Sequence, residues 1–98
     1  MYQSRLIDLS NYKPEDLILT GIKGGSLSIS TQGSPSVTVK GKNADLEPSF
    51  DLAIIDLGTL TKAESISGEG LFMVPCSGLD RVILEVSGSG KIKIKELA

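Results

Sequence analysis

The chain of 98 residues contains no histidine, no tryptophan and one cysteine, and its aromatic residues are two tyrosines and two phenylalanines. Without histidine, the commonest general base of enzymes and a frequent zinc ligand are both missing. Cys76 has no histidine to activate it as a nucleophile and no second cysteine with which to form an internal disulfide. We therefore expect a protein that is not an enzyme and that holds no metal and no cofactor.

Charge and hydropathy exclude further classes of partner. Ten basic and twelve acidic residues give a net charge of -2, so there is no positive excess to neutralise a nucleic-acid backbone. No run approaches the roughly 20 apolar residues of a membrane-spanning helix, and Met1–Leu9 lack the basic and apolar regions of a signal peptide. We expect no nucleic acid, no membrane and no small-molecule substrate as partners.

Alternation of apolar and polar residues dominates the sequence. Ser26–Ser30 and Ser36–Lys40 alternate strictly, and Val82–Ser87 and Lys91–Lys95 repeat the pattern with charged residues on the polar side. A period of two is typical of strands with one buried face. Ser87–Gly90 joins the last two runs with the length and composition of a hairpin turn, so a C-terminal β-hairpin is predicted.

Less regular β patterns fill the rest of the chain. These weaker strands are predicted at Arg5–Leu9, Asp16–Thr20, Phe50–Leu57, Gly58–Glu64 and Gly70–Val74. Turn-forming stretches such as Gln32–Pro35 separate the strands. The pattern predicts one domain over residues 1–98, an all-β antiparallel sandwich, jelly-roll-like or immunoglobulin-like, with about eight short strands. At most one helical turn is expected, near residues 13–16, where Pro14 precedes two acidic residues.

Three groups of residues are candidates for an interface. Lys91, Lys93 and Lys95 share one face of a predicted strand and form a ridge of about 13 Å, either to protect a strand edge from pairing or to bind an acidic neighbour. Ile55 and Leu57 break the alternation of their strand. Either a β-bulge turns them inward, or they form an exposed apolar patch that meets another subunit.

The N-terminal residues Met1–Arg5 are the third candidate. They are polar apart from Met1 and the aromatic anchor Tyr2, and they include the charged Arg5. A segment of this kind can add to the sheet of a neighbour as an arm, or it can simply fray.

Five motifs in this order resemble the small β-sandwich modules in virion proteins of tailed bacteriophages, both head decoration and head-fibre proteins and tail and baseplate components. The motifs are IDLSNY at 7–12, LIL at 17–19, GSLSIS at 25–30, GLFMVPCSGLDRV at 70–82 and GSGKIK at 88–93. Together they span residues 7–93, nearly the whole chain. They shape strands and turns, so no catalytic or ligand residue is carried over from the resemblance.

The resemblance implies a non-enzymatic structural protein of the virion, assembled in the host cytoplasm. We expect a capsid decoration, cementing or head-fibre subunit that forms a homo-oligomer and binds the assembled shell, with the major capsid protein or tail proteins as partners. The alternatives are a tail or baseplate component and a carbohydrate-binding sandwich. A sugar site would require Tyr2, Tyr12, Phe50 and Phe72 to cluster on one exposed surface, because sugar rings stack on aromatic side chains.

Overall fold

The computed structural model describes residues 4–22, 24–43 and 49–97, which form nine strands and one short 3₁₀ helix. The strands are β1 (Ser4–Asp8), β2 (Ile18–Thr20), β3 (Ser26–Lys42), β4 (Phe50–Asp51), β5 (Ile54–Asp56), β6 (Thr61–Ala63), β7 (Ile66–Ser67), β8 (Gly70–Pro75) and β9 (Arg81–Leu97). The 3₁₀ helix, Pro14–Leu17, provides the helical turn predicted near residues 13–16.

All strand pairs in this part of the chain are antiparallel, in the order β1-β9-β3-β8-β5-β6, with β2 also paired to β9 and with β4 and β7 also paired to β3. The predicted all-β antiparallel class is therefore confirmed. The short strands contain two to six residues each, and five of them pair directly with β3 or β9.

The strands β3 and β9 are the centre of the fold. They pair over 17 positions each, from Ser26 opposite Leu97 to Lys42 opposite Arg81. A straight strand of that length would measure about 56 Å, but the longest dimension of the molecule is 35 Å. Both strands must therefore bend, and the sheet folds over one of its own faces.

The bend divides the sheet into two layers. The first layer contains β1, β5, β6 and β8 with the first half of β3 and the second half of β9. The second layer contains β2, β4 and β7 with the remaining halves of β3 and β9. Strands that pass from one layer to the other at a bend are a known way to build the corner of a sandwich.

The predicted C-terminal hairpin is wrong. Val82–Val86 and Lys91–Lys95 do not pair with each other; both belong to β9 and both pair with β3. The turn predicted at Gln32–Pro35 is likewise a bend inside β3. Glycine with positive φ serves a turn and a bent strand equally well, so local sequence alone does not distinguish the two.

Three glycines form this bend, which we call the crease: Gly33, Gly88 and Gly90. All three have positive φ (94°, 86° and 119°), and Gly33 lies directly opposite Gly90. A Cβ atom at Gly88 would overlap the carbonyl oxygen of Ser34, and one at Gly90 would overlap that of Gln32. The two backbones can approach this closely only because these three positions carry no Cβ atom.

The turn between β7 and β8 holds the crease in place. The Gly33 N–H donates to Oε2 of Glu69 at 3.0 Å, and the Gly68 N–H donates to the carbonyl oxygen of Pro35 at 3.0 Å. The hydroxyl of Thr31 donates to the carbonyl oxygen of Gly68 at 2.7 Å. Backbone groups that leave the regular ladder at the bend thus keep hydrogen-bond partners.

The core lies between the two layers and is formed by one face of the folded sheet. Odd-numbered residues of β3 and even-numbered residues of β9 point into it on both sides of the crease, whereas Gly33 and Gly88 in the crease itself are exposed. Its buried members are Ile7, Leu19, Leu27, Ile29, Val37, Val39, Ile54, Ile66, Phe72, Val74, Cys76, Val82, Leu84, Ile92 and Ile94. Burial raises the pKa of the Cys76 thiol, and the negative charge of the buried Glu96 acts in the same direction.

Replacing Gly90 with alanine tests the crease. A Cβ at Gly78, which also has positive φ (83°), meets no described atom within 4 Å, so Gly78→Ala is the matched control for backbone strain alone. We expect Gly78→Ala to lower the free energy of unfolding by about 1 kcal/mol, and Gly90→Ala to lower it by about 3 kcal/mol or more. Urea denaturation measures both, and equal losses would contradict steric crowding at the crease.

Candidate interaction surface

The predicted lysine ridge lies on the solvent side of the first layer, which we call the outer face. Lys91, Lys93 and Lys95 are all exposed, at alternate positions of β9. The strand β9 is paired with β1 on one side and β3 on the other. The interpretation that these lysines protect a strand edge is therefore wrong, and the binding of an acidic neighbour is the alternative that remains.

A lane of small side chains runs beside the lysines. On β3, Ser28 lies opposite Lys95 and Ser30 lies opposite Lys93, and Ser26 is two residues before Ser28 on the same strand. Directly opposed residues of an antiparallel pair share a face of the sheet, so these serines are on the outer face. Their short side chains leave a channel between the long side chains of the neighbouring strands.

Apolar side chains occupy the other side of the serine lane. Met73 of β8 lies opposite Ser28 and also opposite Ile55 of β5, and Leu71 lies opposite Ser30. The Leu57 N–H donates to the carbonyl oxygen of Leu71 at 3.0 Å, which continues the β5–β8 pairing by one residue.

Ile55 and Leu57 thus point outward while Ile54 is fully buried, and no bulge turns them into the core. Both are half-buried, whereas Leu71 is 47% exposed. Of the two interpretations of this segment, the apolar patch is the one that the structure favours.

Across the sheet these groups form continuous rows. One row runs from Ser4 through Lys95, Ser28, Met73 and Ile55 to Lys62 of β6. Six adjacent strands span about 24 Å. The outer face therefore has a cationic stripe, a smooth polar lane and an apolar stripe side by side, an arrangement suited to contact with another protein.

The β1 end of the outer face contains a shallow depression of about 290 Å³. Leu6, Lys93 and Ser30 line it, with Thr31, Gln32 and Lys91 at one end. Leu6 is 62% exposed and lies directly opposite Lys93. The depression thus combines one apolar side chain with the aliphatic stems of two lysines.

Asp8 neutralises part of the charge at this end of the ridge. It lies opposite Lys91, and its Oδ1 accepts hydrogen bonds from the Ser10 N–H at 2.9 Å and from the Ser10 hydroxyl at 2.7 Å. These bonds hold the pKa of Asp8 below its usual value, and the charge of Lys91 lowers it further. Lys93 and Lys95 have no ion pair within the described ranges, so they carry the unbalanced positive charge.

The N-terminal candidates are placed differently. The predicted arm over Met1–Arg5 included Ser4 and Arg5. In the structure these two residues belong to β1 and pair with Lys95 and Ile94, so they are not part of a free arm. The guanidinium of Arg5 donates to the carbonyl oxygens of Asp16 and Ile18 at 2.9 and 3.3 Å. Arg5 therefore fastens β1 to the 3₁₀ helix and β2 instead of joining the outer face. Tyr2 lies outside the described residues.

The aromatic residues are dispersed among different parts of the fold. Phe72 is in the core, Tyr12 lies on the connection before the 3₁₀ helix, and Phe50 lies on β4. The β9–β3 pair separates the side of the sheet that carries β1 and β2 from the side that carries β4. The described aromatics thus do not form the single exposed cluster that a sugar site would need.

Two further chemical features can be stated for residues 4–22, 24–43 and 49–97. No group of three or more His, Cys, Asp or Glu side chains is placed there to hold a metal ion. No helix in this part of the chain has the length and apolar character needed to cross a membrane.

Leu6, Leu71 and Met73 also belong to the outer face, although the sequence pattern did not identify them as candidates. Leu71 and Met73 belong to a predicted strand in which almost every residue is apolar, so alternation could not separate its two faces. The signal that was present is the lack of polar residues at alternate positions of that strand. It indicates that the second face is covered or forms a contact.

Comparison with known proteins shows likeness in fold. No protein-family model matches the chain, and no curated protein matches its sequence. The fold is similar to the crystal structure of the SPBc2 prophage-derived protein YomS, with a TM-score of 0.68. The match covers 97% of this chain and 91% of that one at 14% sequence identity, so what is shared is the arrangement of strands.

The hydrogen bonds around Asp8 can be tested by NMR titration. Ser10→Ala removes the hydroxyl donor, so we expect the pKa of Asp8 to rise, and Lys91→Gln should raise it less because the charge is the smaller cause. Since folding lowers the pKa of Asp8, its carboxylate stabilises the folded state at pH values above the ordinary pKa of 3.8. This stabilisation is lost as the pH falls through the pKa of Asp8 in the folded protein. A larger rise in Lys91→Gln than in Ser10→Ala would contradict this assignment.

Proposed function

We propose that this protein is a non-enzymatic structural protein of a phage particle, and that it acts by binding other virion proteins through its outer face. The observation that carries the proposal is the combination on one sheet face of Lys93 and Lys95, the serine lane and the apolar stripe of Ile55, Leu57, Leu71 and Met73. The fold shared with a prophage-derived protein supports a phage-related role.

Within that class, the favoured role is a capsid decoration, cementing or head-fibre subunit that binds the assembled shell, with the virion as its location. A compact sandwich stiffened by two 17-residue strands can present one face in a fixed orientation. On a symmetric shell the same contact repeats many times, so a modest interface for each copy is sufficient. A tail or baseplate component is the competing role, and particle imaging separates the two.

The partner surface follows from the chemistry of the outer face. A partner would place carboxylates against Lys93 and Lys95, which carry the unbalanced positive charge. It would place apolar side chains against the half-buried Ile55 and Met73, about 10 to 15 Å from the lysines across the strands. The serine lane between them lets the partner backbone approach closely. We therefore expect an acidic and apolar protein surface on the shell.

Charge reversal on the ridge tests the proposed function. We expect the variant Lys93→Glu/Lys95→Glu to bind purified particles that lack the protein about tenfold more weakly, a loss of roughly 1.4 kcal/mol, with unchanged thermal stability. Added salt should weaken the binding of the unmodified protein but not that of the variant, because ions screen an attraction between opposite charges in the first and a repulsion between like charges in the second. Lys91 stays unchanged, since glutamate there would face Asp8. Co-sedimentation with the particles gives the affinity.

The matched control carries the same change in net charge elsewhere. Lys13 and Arg81 are exposed and lie outside the first layer, before the 3₁₀ helix and at the start of β9. Lys13→Glu/Arg81→Glu should bind particles like the unmodified protein. Equal weakening by both variants would show that only net charge matters, and no association of the unmodified protein with particles would overturn the proposed function.

A further inference from the structure

We propose that copies of this chain assemble head to tail, with Leu60 of one copy seated in the depression beside Leu6 of the next. The proposal extends the proposed function, because it names a second copy of the chain as one partner of the outer face. It rests on an exposed side chain held in a strained turn, on a depression that it fits, and on the separation of the two within one molecule.

Leu60 combines two unfavourable properties. Its φ is 57°, the one positive φ of a non-glycine residue in the described ranges, and its side chain is 78% exposed. A bulky residue in the left-handed region is uncommon, since glycine or asparagine would fit there without strain. Strain of this kind persists where the surrounding structure enforces it, and it is concentrated at functional sites.

The turn that carries Leu60 is rigid. The Leu60 N–H donates to the carbonyl oxygen of Asp56 at 2.7 Å, and the Gly58 N–H donates to Oδ1 of the same residue at 2.8 Å. The hydroxyls of Thr59 and Thr61 share a hydrogen bond of 2.6 Å. The backbone at the tip of the β5–β6 hairpin is therefore held in place, and the rotamers of the leucine side chain are the main freedom left to be lost on binding.

The depression beside Leu6 has the size and chemistry to receive this side chain. Its volume of about 290 Å³ exceeds the cavity on the order of 150 Å³ that removal of a buried leucine leaves in a protein. Leu6 supplies an apolar contact, and the stems of Lys91 and Lys93 supply more. Asp56 lies at the base of the tip, so docking would bring its carboxylate toward the ammonium group of Lys91 at the end of the depression, while Lys93 contributes its aliphatic stem.

A single copy cannot make this contact with itself. The depression lies on β1, β9 and β3, and the tip joins β5 to β6 at the other end of the strand order. Four to five strand spacings correspond to about 19 to 24 Å. The contact is therefore between copies and uses two different patches, and such heterologous contacts build rings or filaments. Lys95, the ammonium group of Lys93 and the apolar stripe stay open for a different virion protein.

Disulfide trapping tests the contact directly. Leu6→Cys and Leu60→Cys are made as separate variants, since the native Cys76 is only 3% exposed. We expect mild oxidation of a mixture to give a covalent dimer joining the two variants, while neither variant alone gives more than a trace. Cross-linking of Leu60→Cys to itself, or no cross-link in the mixture, would overturn the proposed contact.

A second variant separates assembly from folding. Leu60→Gly relieves the backbone strain, so it should leave the melting temperature unchanged or raised, yet weaken self-association at least tenfold in analytical ultracentrifugation. Ile18→Ser removes another exposed apolar side chain, on β2 of the second layer, and should leave self-association unchanged. Unaltered association of Leu60→Gly would refute the role of Leu60.

Failure of this inference can be told apart from failure of the proposed function. Self-association is measured on purified protein with no particle present, whereas the proposed function is measured by particle binding. Particle binding without Leu6–Leu60 cross-linking would overturn head-to-tail assembly alone. Cross-linking without particle binding would overturn the shell-binding role alone.

Discussion

The close approach of two backbones at Gly33, Gly88 and Gly90 is the constraint on which the rest of the structure depends. It lets β3 and β9 bend together while their register continues, so that two strands supply both layers of a sandwich. Without the bend, the apolar face of the sheet would have nothing to pack against. The buried core and the outer face are the two faces of one sheet that is folded along one line.

Much of this architecture could be predicted from alternation alone. The apolar positions of Ser26–Ser30, Ser36–Lys40, Val82–Ser87 and Lys91–Lys95 point into the core where the pattern placed them, apart from the half-buried Val86 near the crease. What could not be predicted is connectivity. A glycine-rich link between two strands is compatible with a turn or a bend, and the choice is made by a distant segment that lies opposite it.

The outer face could be predicted only in part, because alternation reveals the exposed side of a strand only where that side is polar. Charged residues reveal which side of a strand is exposed, so the lysines of β9 were found. Leu71 and Met73 were not found, because both faces of their strand are apolar. Leu60 gave no signal at all, since a left-handed backbone at a leucine is set by the hydrogen bonds of its turn and not by its own preference.

The pairing of β3 with β9 has a consequence for how the chain acquires its structure. Even the nearest pair of the central ladder, Lys42 with Arg81, encloses all of residues 43–80, so a long loop must close before most of the core can form. Contacts between residues so far apart in sequence make folding slow. Because β9 supplies strands to both layers, a ribosome-bound chain that has not yet exposed residues 81–97 can complete neither layer. Folding of this domain therefore waits until residues 81–97 are available, and the incomplete chain has unpaired strand edges for a chaperone to cover.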